Sequence, residues 1–105
     1  MINKQNIIDA GFNKLIKSRH GFLSYNKNDM YIGKSIEKYG EFSHLEAKLF
    51  EQICKDGDIV IEVGANIGAH TLYLSKLVGN GFVIAYEPQR LVFQNLCANL
   101  ALNSI

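Results

Sequence analysis

The residues whose types and spacing could form a binding site lie in one short run, Glu62-Val-Gly-Ala-Asn-Ile-Gly68. A second carboxylate, Glu87, follows 19 positions after Gly68. Glycine has no Cβ atom, so Gly64 and Gly68 allow positive φ angles and a close approach of a ligand to the backbone. The amides that follow would open a helix, whose N-terminus attracts polar ligand groups. A carboxylate at position 87 can accept hydrogen bonds from both hydroxyls of a ribose. Residue types and spacing therefore favour a site for a nucleotide-type cofactor.

The elements around this run are those that such a site needs. Residues 58–63 are a β-branched stretch without period-two alternation, typical of a strand buried on both faces of a parallel sheet. Residues 69–78 follow with a helical pattern of apolar side chains. Residues 82–87 then repeat the strand pattern and residues 89–102 the helical one. The sequence predicts strand, helix, strand and helix, with both chemical features at the carboxyl ends of neighbouring parallel strands.

The N-terminal part of the chain predicts a helix followed by a hairpin. Short β-prone runs at residues 22–25 and 30–32 flank a turn-rich segment and indicate two antiparallel strands. Further upstream, four apolar residues recur at steps of three and four and predict a helix over residues 5–18: Ile8, Phe12, Leu15 and Ile16.

A capping box predicts where the next helix begins. In Ser43-His-Leu-Glu46 the Ser43 hydroxyl would accept from the Glu46 amide, and the Glu46 carboxylate would reach back to the Ser43 amide. Leu45, Leu49 and Ile53 then follow at i, i+4 and i+8, the spacing of one helix face. We expect a helix from this box to the Lys55-Asp-Gly stop signal.

Three runs of the sequence resemble, in order, the FkbM family of S-adenosylmethionine-dependent methyltransferases. They are residues 60–71 (VIEVGANIGAHT), 85–88 (AYEP) and 93–103 (FQNLCANLALN). The upstream runs at residues 29–32 and 39–42 are similar to the lead-in segment of the same family. The resemblance implies a Rossmann-like class I methyltransferase fold, of which this chain holds the first two parallel strands and their helices.

The resemblance also implies roles for five residues of the run and for Glu87. Glu62 stands where the family usually has Asp, and it would face the amino-acid portion of the cofactor directly or through water. Glu87 would hold the ribose hydroxyls. The remaining four residues would line the methionine and ribose end of S-adenosylmethionine: Gly64, Ala65, Asn66 and Gly68. No general base, other catalytic residue or metal-ligand set can be assigned from the sequence.

The resemblance divides the chain into a lead-in, residues 1–42, and the first half of a methyltransferase domain, residues 43–105. A complete class I fold has further strands, so we expect an N-terminal portion that does not transfer methyl groups alone. An unpaired strand edge would remain, which invites self-association. The acceptor that the family implies is an oxygen of a sugar or another small metabolite.

Two other functions stay open. An NAD-type oxidoreductase fragment is disfavoured, because a dinucleotide site wants glycines at i, i+2 and i+5, whereas Asn66 occupies i+2. Glu62 would also repel a diphosphate, while an ammonium and a sulfonium would suit it. The second alternative is a noncatalytic binding module that keeps the same half-fold.

Composition and charge limit which other classes of protein the sequence is compatible with. The 105 residues are 48% hydrophobic and 20% charged with a net charge of +1, as in a globular domain, and no charge cluster indicates nucleic-acid binding. No apolar stretch approaches the roughly 18 residues of a membrane span, and the N-terminus lacks a signal-peptide core. We therefore expect a cytoplasmic protein without membrane partners, whose Cys54 and Cys97 are buried free thiols.

Overall fold

The described part of the chain, residues 4–105 of a computed structural model, begins with a three-stranded antiparallel sheet. Its strands, in spatial order, are β1 (Gln5–Ala10), β2 (Asn13–Lys17) and β3 (Phe22–Asn26). The helix predicted over residues 5–18 is therefore wrong. Gly11, with a φ of 62°, and Phe12 form a two-residue turn between the paired residues on either side, which is a favoured hairpin length. The apparent helical spacing combines apolar residues from two strands.

The predicted second hairpin is half correct. Residues 22–25 form a strand, but this strand, β3, pairs with β2. Residues 30–32 do not form a strand, since helix α1 (Ile32–Tyr39) begins there. The Asp29 carboxylate accepts the Tyr31 N–H at 2.9 Å and turns the chain towards the helix. Ile36 is then fully buried in the core, and this burial outweighs the local β propensity.

The next helix, α2 (His44–Ile53), begins where the sequence predicts, but the capping box does not form. Ser43 has a φ of 55° and makes no side-chain capping bond. In this left-handed conformation Ser43 only supplies its carbonyl, which accepts the Ala47 N–H at 3.2 Å. The position of the helix is thus predictable from the sequence, while its cap is not.

The second half of the chain confirms the predicted order of strand, helix, strand and helix. The elements are β4 (Ile59–Val63), α3 (Ala69–Val78), β5 (Phe82–Tyr86) and α4 (Arg90–Leu102). Strands β4 and β5 pair in parallel, with Val60 beside Val83 and Val63 beside Tyr86. The fold class is therefore α/β, with one parallel pair in addition to the antiparallel sheet.

The expectation that β4 and β5 are buried on both faces is wrong for the described residues. Side chains of both strands alternate between half-buried and exposed. Helix α3 packs against one face of the pair, and within residues 4–105 no element covers the other. Six large side chains project from that outer face: Ile59, Ile61, Val63, Phe82, Ile84 and Tyr86.

The main hydrophobic core lies between the antiparallel sheet and helices α1, α3 and α4. Its buried members come from both halves of the chain: Ile16, Leu23, Tyr25, Ile36, Ile67, Ala69 and Leu72. Ile67 lies within the glycine run and Ala69 directly follows it, so the lead-in sheet packs directly behind this run. The lead-in residues that the structure describes, 4–42, therefore help to support that segment.

None of the helices within residues 4–105 has the length and apolar content of a membrane-spanning segment.

Both cysteines are free thiols; Cys54 is half-buried and Cys97 is exposed. The expectation of burial is wrong for Cys97, because α4 turns this residue away from the core.

Candidate functional site

The glycine run forms a tight loop that is hydrogen-bonded to the end of β5. The N–H groups of Gly64 and Ala65 both donate to the Tyr86 carbonyl, each at 2.9 Å. The Gly68 N–H donates to the Ala65 carbonyl at 3.0 Å and closes the loop. Helix α3 follows immediately, with Gly68 as its N-cap residue. The loop therefore lies at the carboxyl edge of the parallel pair, where α/β sheets bind ligands.

Glu87 lies directly beside this loop. Its Oε1 atom accepts the Asn66 N–H at 2.9 Å, and its Oε2 atom accepts the Gln89 N–H at 3.0 Å. The Asn66 side chain in turn accepts the Ile67 N–H at 3.0 Å, while its backbone has a φ of 54°. One carboxylate thus joins the end of β5 to the centre of the loop. Each of its oxygens keeps a second lone pair for a further donor.

Gly64 and Gly68 are needed in the loop for different structural reasons. Both have positive φ angles, 78° at Gly64 and 91° at Gly68. A Cβ atom at Gly64 would meet nothing within 4 Å, so open space borders the backbone there. At Gly68 a Cβ atom would approach the Leu96 Cδ1 atom to 2.8 Å. Gly64 therefore offers room for a ligand, whereas Gly68 permits the contact between α3 and α4.

Glu62 is the second carboxylate near the loop, and the structure gives it a partner that the sequence did not indicate. The Thr71 hydroxyl, on the first turn of α3, donates to the Glu62 Oε1 atom at 2.5 Å. Burial raises the pKa of Glu62, and the Thr71 hydrogen bond and the nearby His70 oppose this shift. A carboxylate held in this way can attract a cationic ligand group.

His70 has a packing role. Its ring lies between Phe42 and Phe50, with centroid distances of 5.5 and 5.2 Å. Its Nε2 atom is 3.2 Å from the Phe42 carbonyl and 3.4 Å from Glu46 Oε2. These contacts hold α2 and the preceding turn against the start of α3.

The loop also depends on Asn99, which the sequence reasoning missed. This fully buried side chain donates to the Ile67 carbonyl at 2.7 Å and to the Ser24 carbonyl at 3.0 Å. Its Oδ1 atom accepts the Ser24 N–H at 2.6 Å. One amide thus connects the loop, β3 and α4. The only signal in the sequence is the i, i+4, i+8 spacing of Asn95, Asn99 and Asn103.

A cavity of about 430 Å³ with a mixed polar and apolar lining opens next to the loop. Asp29 and the exposed Phe12 ring belong to its lining. Amide side chains form most of the remaining wall: Asn13, Asn26, Asn28, Asn66, Gln89, Gln94 and Asn95. Amides both donate and accept hydrogen bonds, so the cavity suits a neutral molecule with several hydroxyl groups.

The described residues show no metal centre, because no group of three His, Cys, Asp or Glu side chains within residues 4–105 is placed to hold an ion. The structure brings together Glu62, the glycine loop and Glu87 at one edge of the parallel pair. In comparisons with known proteins, no family model, no curated protein and no solved structure matches this chain.

Proposed function

We propose that the glycine loop and Glu87 bind S-adenosylmethionine, and that the chain is the cofactor-binding portion of a methyltransferase. The observation that carries the proposal is the hydrogen bond from the Asn66 N–H to Glu87. It sets an acid at the end of one parallel strand against the glycine loop of its neighbour. This is the arrangement that nucleotide cofactors need for their ribose.

The residues around the loop fit this cofactor. Open space beside Gly64 leaves room for a ligand against the backbone. The spare lone pairs of Glu87 suit ribose hydroxyls, and Glu62 supplies a negative charge for the ammonium group. Glu62 would repel a diphosphate, and Asn66 stands where a dinucleotide site has its second glycine, so these two residues disfavour NAD.

The chemistry follows from the cofactor, which when bound supplies a methyl group already activated on a sulfonium. The protein then has to hold the acceptor in line, and positioning alone can lower the barrier substantially. Glu87 and the loop fix the orientation of the ribose, and Glu62 that of the amino-acid end. No side chain is assigned as general base.

The acceptor class that we propose is a sugar or another small hydroxylated metabolite. The amide-rich cavity beside Asn66 supports it, since amides and the Asp29 carboxylate can bind several hydroxyls at once. The exposed Phe12 ring at the same cavity offers an apolar surface for one face of a sugar ring. The cavity adjoins the loop through Asn66 and Ile67, so an acceptor there would lie close to the cofactor.

Isothermal titration calorimetry tests the proposal with three ligands: S-adenosylmethionine, S-adenosylhomocysteine and NAD⁺. We expect the first two to bind and NAD⁺ not to. Gly64→Val should abolish binding, because it places a branched side chain in the open space and at a φ of 78°. Circular dichroism establishes that the variant is folded. Binding of NAD⁺ alone, or unchanged binding by folded Gly64→Val, would contradict the proposal.

A further inference from the structure

The cavity of about 430 Å³ beside the glycine loop has one charged side chain among its described lining residues, that of Asp29. Its volume lies within the range of roughly 300–1,000 Å³ that is usual for small-molecule sites. The lead-in sheet, the turn after β3, the glycine loop and α4 all contribute to its wall. What a ligand must offer here follows from which hydrogen-bonding groups of this wall remain unused by the protein itself.

Asp29 is held in place with one carboxylate oxygen unused. Its Oδ1 atom accepts the Tyr31 N–H at 2.9 Å, and its own N–H donates to the Asn26 carbonyl at 2.9 Å. Gly33 of α1 packs against it, since a Cβ atom there would approach the Asp29 Cβ atom to 2.8 Å. The Oδ2 atom forms no hydrogen bond or salt bridge with another residue in the described range, 4–105. The cavity wall therefore carries an anionic oxygen, which can only accept hydrogen bonds.

Two half-buried asparagines of the same wall have the opposite hydrogen-bonding character. The Asn26 Oδ1 atom accepts the Asn28 N–H at 2.9 Å, and the Asn66 Oδ1 atom accepts the Ile67 N–H at 3.0 Å. A backbone N–H can only donate, so these contacts establish which end of each amide is the oxygen. Neither Nδ2 group donates to any residue that the structure describes. The N–H donors of both amides are therefore available to a ligand.

A hydroxyl group matches both kinds of protein group, because it donates one hydrogen bond and accepts others. An ammonium group only donates, so it would match Asp29 and leave the two amides without an acceptor. A carboxylate or phosphate only accepts, and the charge of Asp29 would repel it. The unused groups of the wall therefore favour a ligand that carries several hydroxyl groups and no negative charge.

The Phe12 ring adds a preference for a ring-shaped ligand. Phe12 lies at the tip of the β1–β2 hairpin, lines the cavity and is 54% exposed. Its carbonyl accepts the Lys27 N–H at 2.9 Å, which ties the hairpin tip to the turn before α1. The electron-rich face of an aromatic ring attracts the polarised C–H groups on one face of a pyranose. An open-chain polyol presents no such face.

We propose that the cavity binds a neutral pyranose sugar, and that Asp29 determines its specificity by accepting a hydrogen bond from one sugar hydroxyl. The Nδ2 groups of Asn26 and Asn66 donate to other sugar oxygens, and one face of the sugar lies on Phe12. The inference rests on the proposed function in one respect, that this sugar is the methyl acceptor. It adds the residue that selects the acceptor, and it excludes acidic sugars.

Titration followed by NMR tests the ligand class without any cofactor present. The probes are the methyl glycosides of glucose, galactose and mannose, and those of the three corresponding uronic acids. We expect at least one neutral glycoside to bind and to shift the side-chain amide signals of Asn26 and Asn66. Its uronic acid should bind about tenfold more weakly, the loss of one charge-assisted hydrogen bond. Binding by none of the neutral glycosides, or equal binding by the uronic acid, would overturn the proposal.

Asp29→Asn tests the residue. The variant keeps an oxygen for the Tyr31 N–H and replaces the free oxygen by an N–H donor, so affinity for the neutral glycoside should fall about tenfold. The preference over the uronic acid should also disappear. Asp58→Asn is the matched control, because Asp58 likewise accepts a backbone N–H, that of Lys55 at 2.8 Å, and does not line the cavity. Unchanged binding by Asp29→Asn, or an equal loss in Asp58→Asn, would refute the role of Asp29.

Phe12→Leu tests the aromatic face separately. It keeps an apolar side chain at the exposed hairpin tip and should weaken binding of the neutral glycoside several-fold, while circular dichroism checks that each variant is folded. Unchanged binding by folded Phe12→Leu would contradict a pyranose stacked on this ring. Calorimetry with S-adenosylmethionine separates the two proposals. Sugar binding without cofactor binding would refute the proposed function alone, and cofactor binding without sugar binding would refute this inference alone.

Discussion

At the residue scale, the carboxylate of Glu87 has two tasks that substitutions can separate. It braces the loop through the Asn66 N–H, and its spare lone pairs are available to a ligand. Glu87→Gln keeps an acceptor oxygen for Asn66 and removes the charge. Glu87→Ala removes both. The pair of variants therefore distinguishes loop support from ligand binding.

We predict that Glu87→Ala weakens S-adenosylmethionine binding tenfold or more. Charge-assisted hydrogen bonds contribute about 1.5–3 kcal/mol each, and a tenfold change in Kd corresponds to about 1.4 kcal/mol. S-adenosylhomocysteine carries the same ribose and should lose affinity in parallel. Calorimetry with both ligands provides the measurement, with Glu87→Gln expected to fall between the natural chain and Glu87→Ala. A loss for only one of the ligands would refute the ribose assignment.

The charge of Glu62 at a half-buried position lowers the stability of the fold, and we expect Glu62→Gln to raise that stability. Burial raises the pKa of this carboxyl, so its charged form is disfavoured in the fold. A carboxyl group whose pKa is raised by folding contributes its full stabilisation of the fold below the pKa that it has in the unfolded chain. This contribution is lost as the pH rises through the pKa that it has in the folded chain. At pH 7.5 the variant should therefore have a higher Tm than the natural chain, because glutamine can still accept from Thr71 and carries no charge.

The measurement is thermal unfolding of both proteins over a series of pH values. The difference in Tm should shrink as the pH falls towards 4.5, the ordinary value for this carboxyl. The same variant should bind S-adenosylmethionine more weakly, because the ammonium group loses its counter-charge. A variant that is less stable at every pH would show that the charge of Glu62 supports the fold.

At the scale of elements, the side chains of α4 complete the edge of β3. Asn99 exchanges hydrogen bonds with the N–H and carbonyl of Ser24, and Asn103 does the same with Phe22. The amides act as a short substitute strand along an edge that would otherwise be open. Since Asn99 also binds Ile67, the helix fixes the loop and the lead-in sheet together.

We predict that Asn99→Ala destabilises the fold by about 2–4 kcal/mol, because it leaves the buried Ile67 carbonyl and the part-buried N–H and carbonyl of Ser24 without this partner, and an unsatisfied buried group costs about 1–3 kcal/mol. Urea unfolding measures the change. Asn95→Ala is the matched control on the same helix face. Its longer contacts, 3.2 Å to the Ser24 hydroxyl and 3.4 Å to Asn13, predict a loss below about 1 kcal/mol. Equal losses in the two variants would contradict the role of Asn99.

The elements show which parts of the fold the sequence can predict. Helix α3 was predictable over residues 69–78 because a local apolar period and a glycine stop agree. The β1–β2 hairpin was not, because the apolar residues on both sides of Gly11 imitate a helical period. Helix α1 also escaped prediction, since the burial of Ile36 depends on partners that are distant in the sequence.

At the scale of the whole molecule, the candidate site also combines features that the sequence predicts with features that it does not. The glycine loop and Glu87 could be placed together because parallel strands end at a common edge, and the structure joins them through Asn66. Thr71 and Asn99 could not be found, because a single threonine or asparagine within a helical pattern does not indicate which groups its side chain contacts. Their importance comes from contacts with Glu62 and with the loop.

A cluster of charged side chains connects three separate parts of the molecule. The carboxylate of buried Glu41, after α1, lies 3.4 Å from Arg19 and 3.6 Å from His20, both in the turn between β2 and β3. The His20 ring also stacks on Tyr73 of α3 at a centroid distance of 4.4 Å. Burial lowers the pKa of His20 below its ordinary value; Glu41 opposes the shift, while Lys76 and Arg19 add to it. The imidazole is therefore preferentially neutral in the fold.

We predict that His20 makes a contribution to stability that is lost as the pH falls through about 6.5, the ordinary value for His20. Below that pH the unfolded chain binds a proton that the folded chain resists, so protonation favours unfolding until the lowered folded pKa is reached. Thermal unfolding between pH 8 and pH 5 should show that the Tm of the natural chain falls relative to that of His20→Gln. His20→Gln cannot titrate and should flatten this dependence, whereas Tyr73→Phe keeps the ring against His20 and should retain the slope of the natural chain. An unchanged slope in His20→Gln would place the proton uptake elsewhere in the molecule.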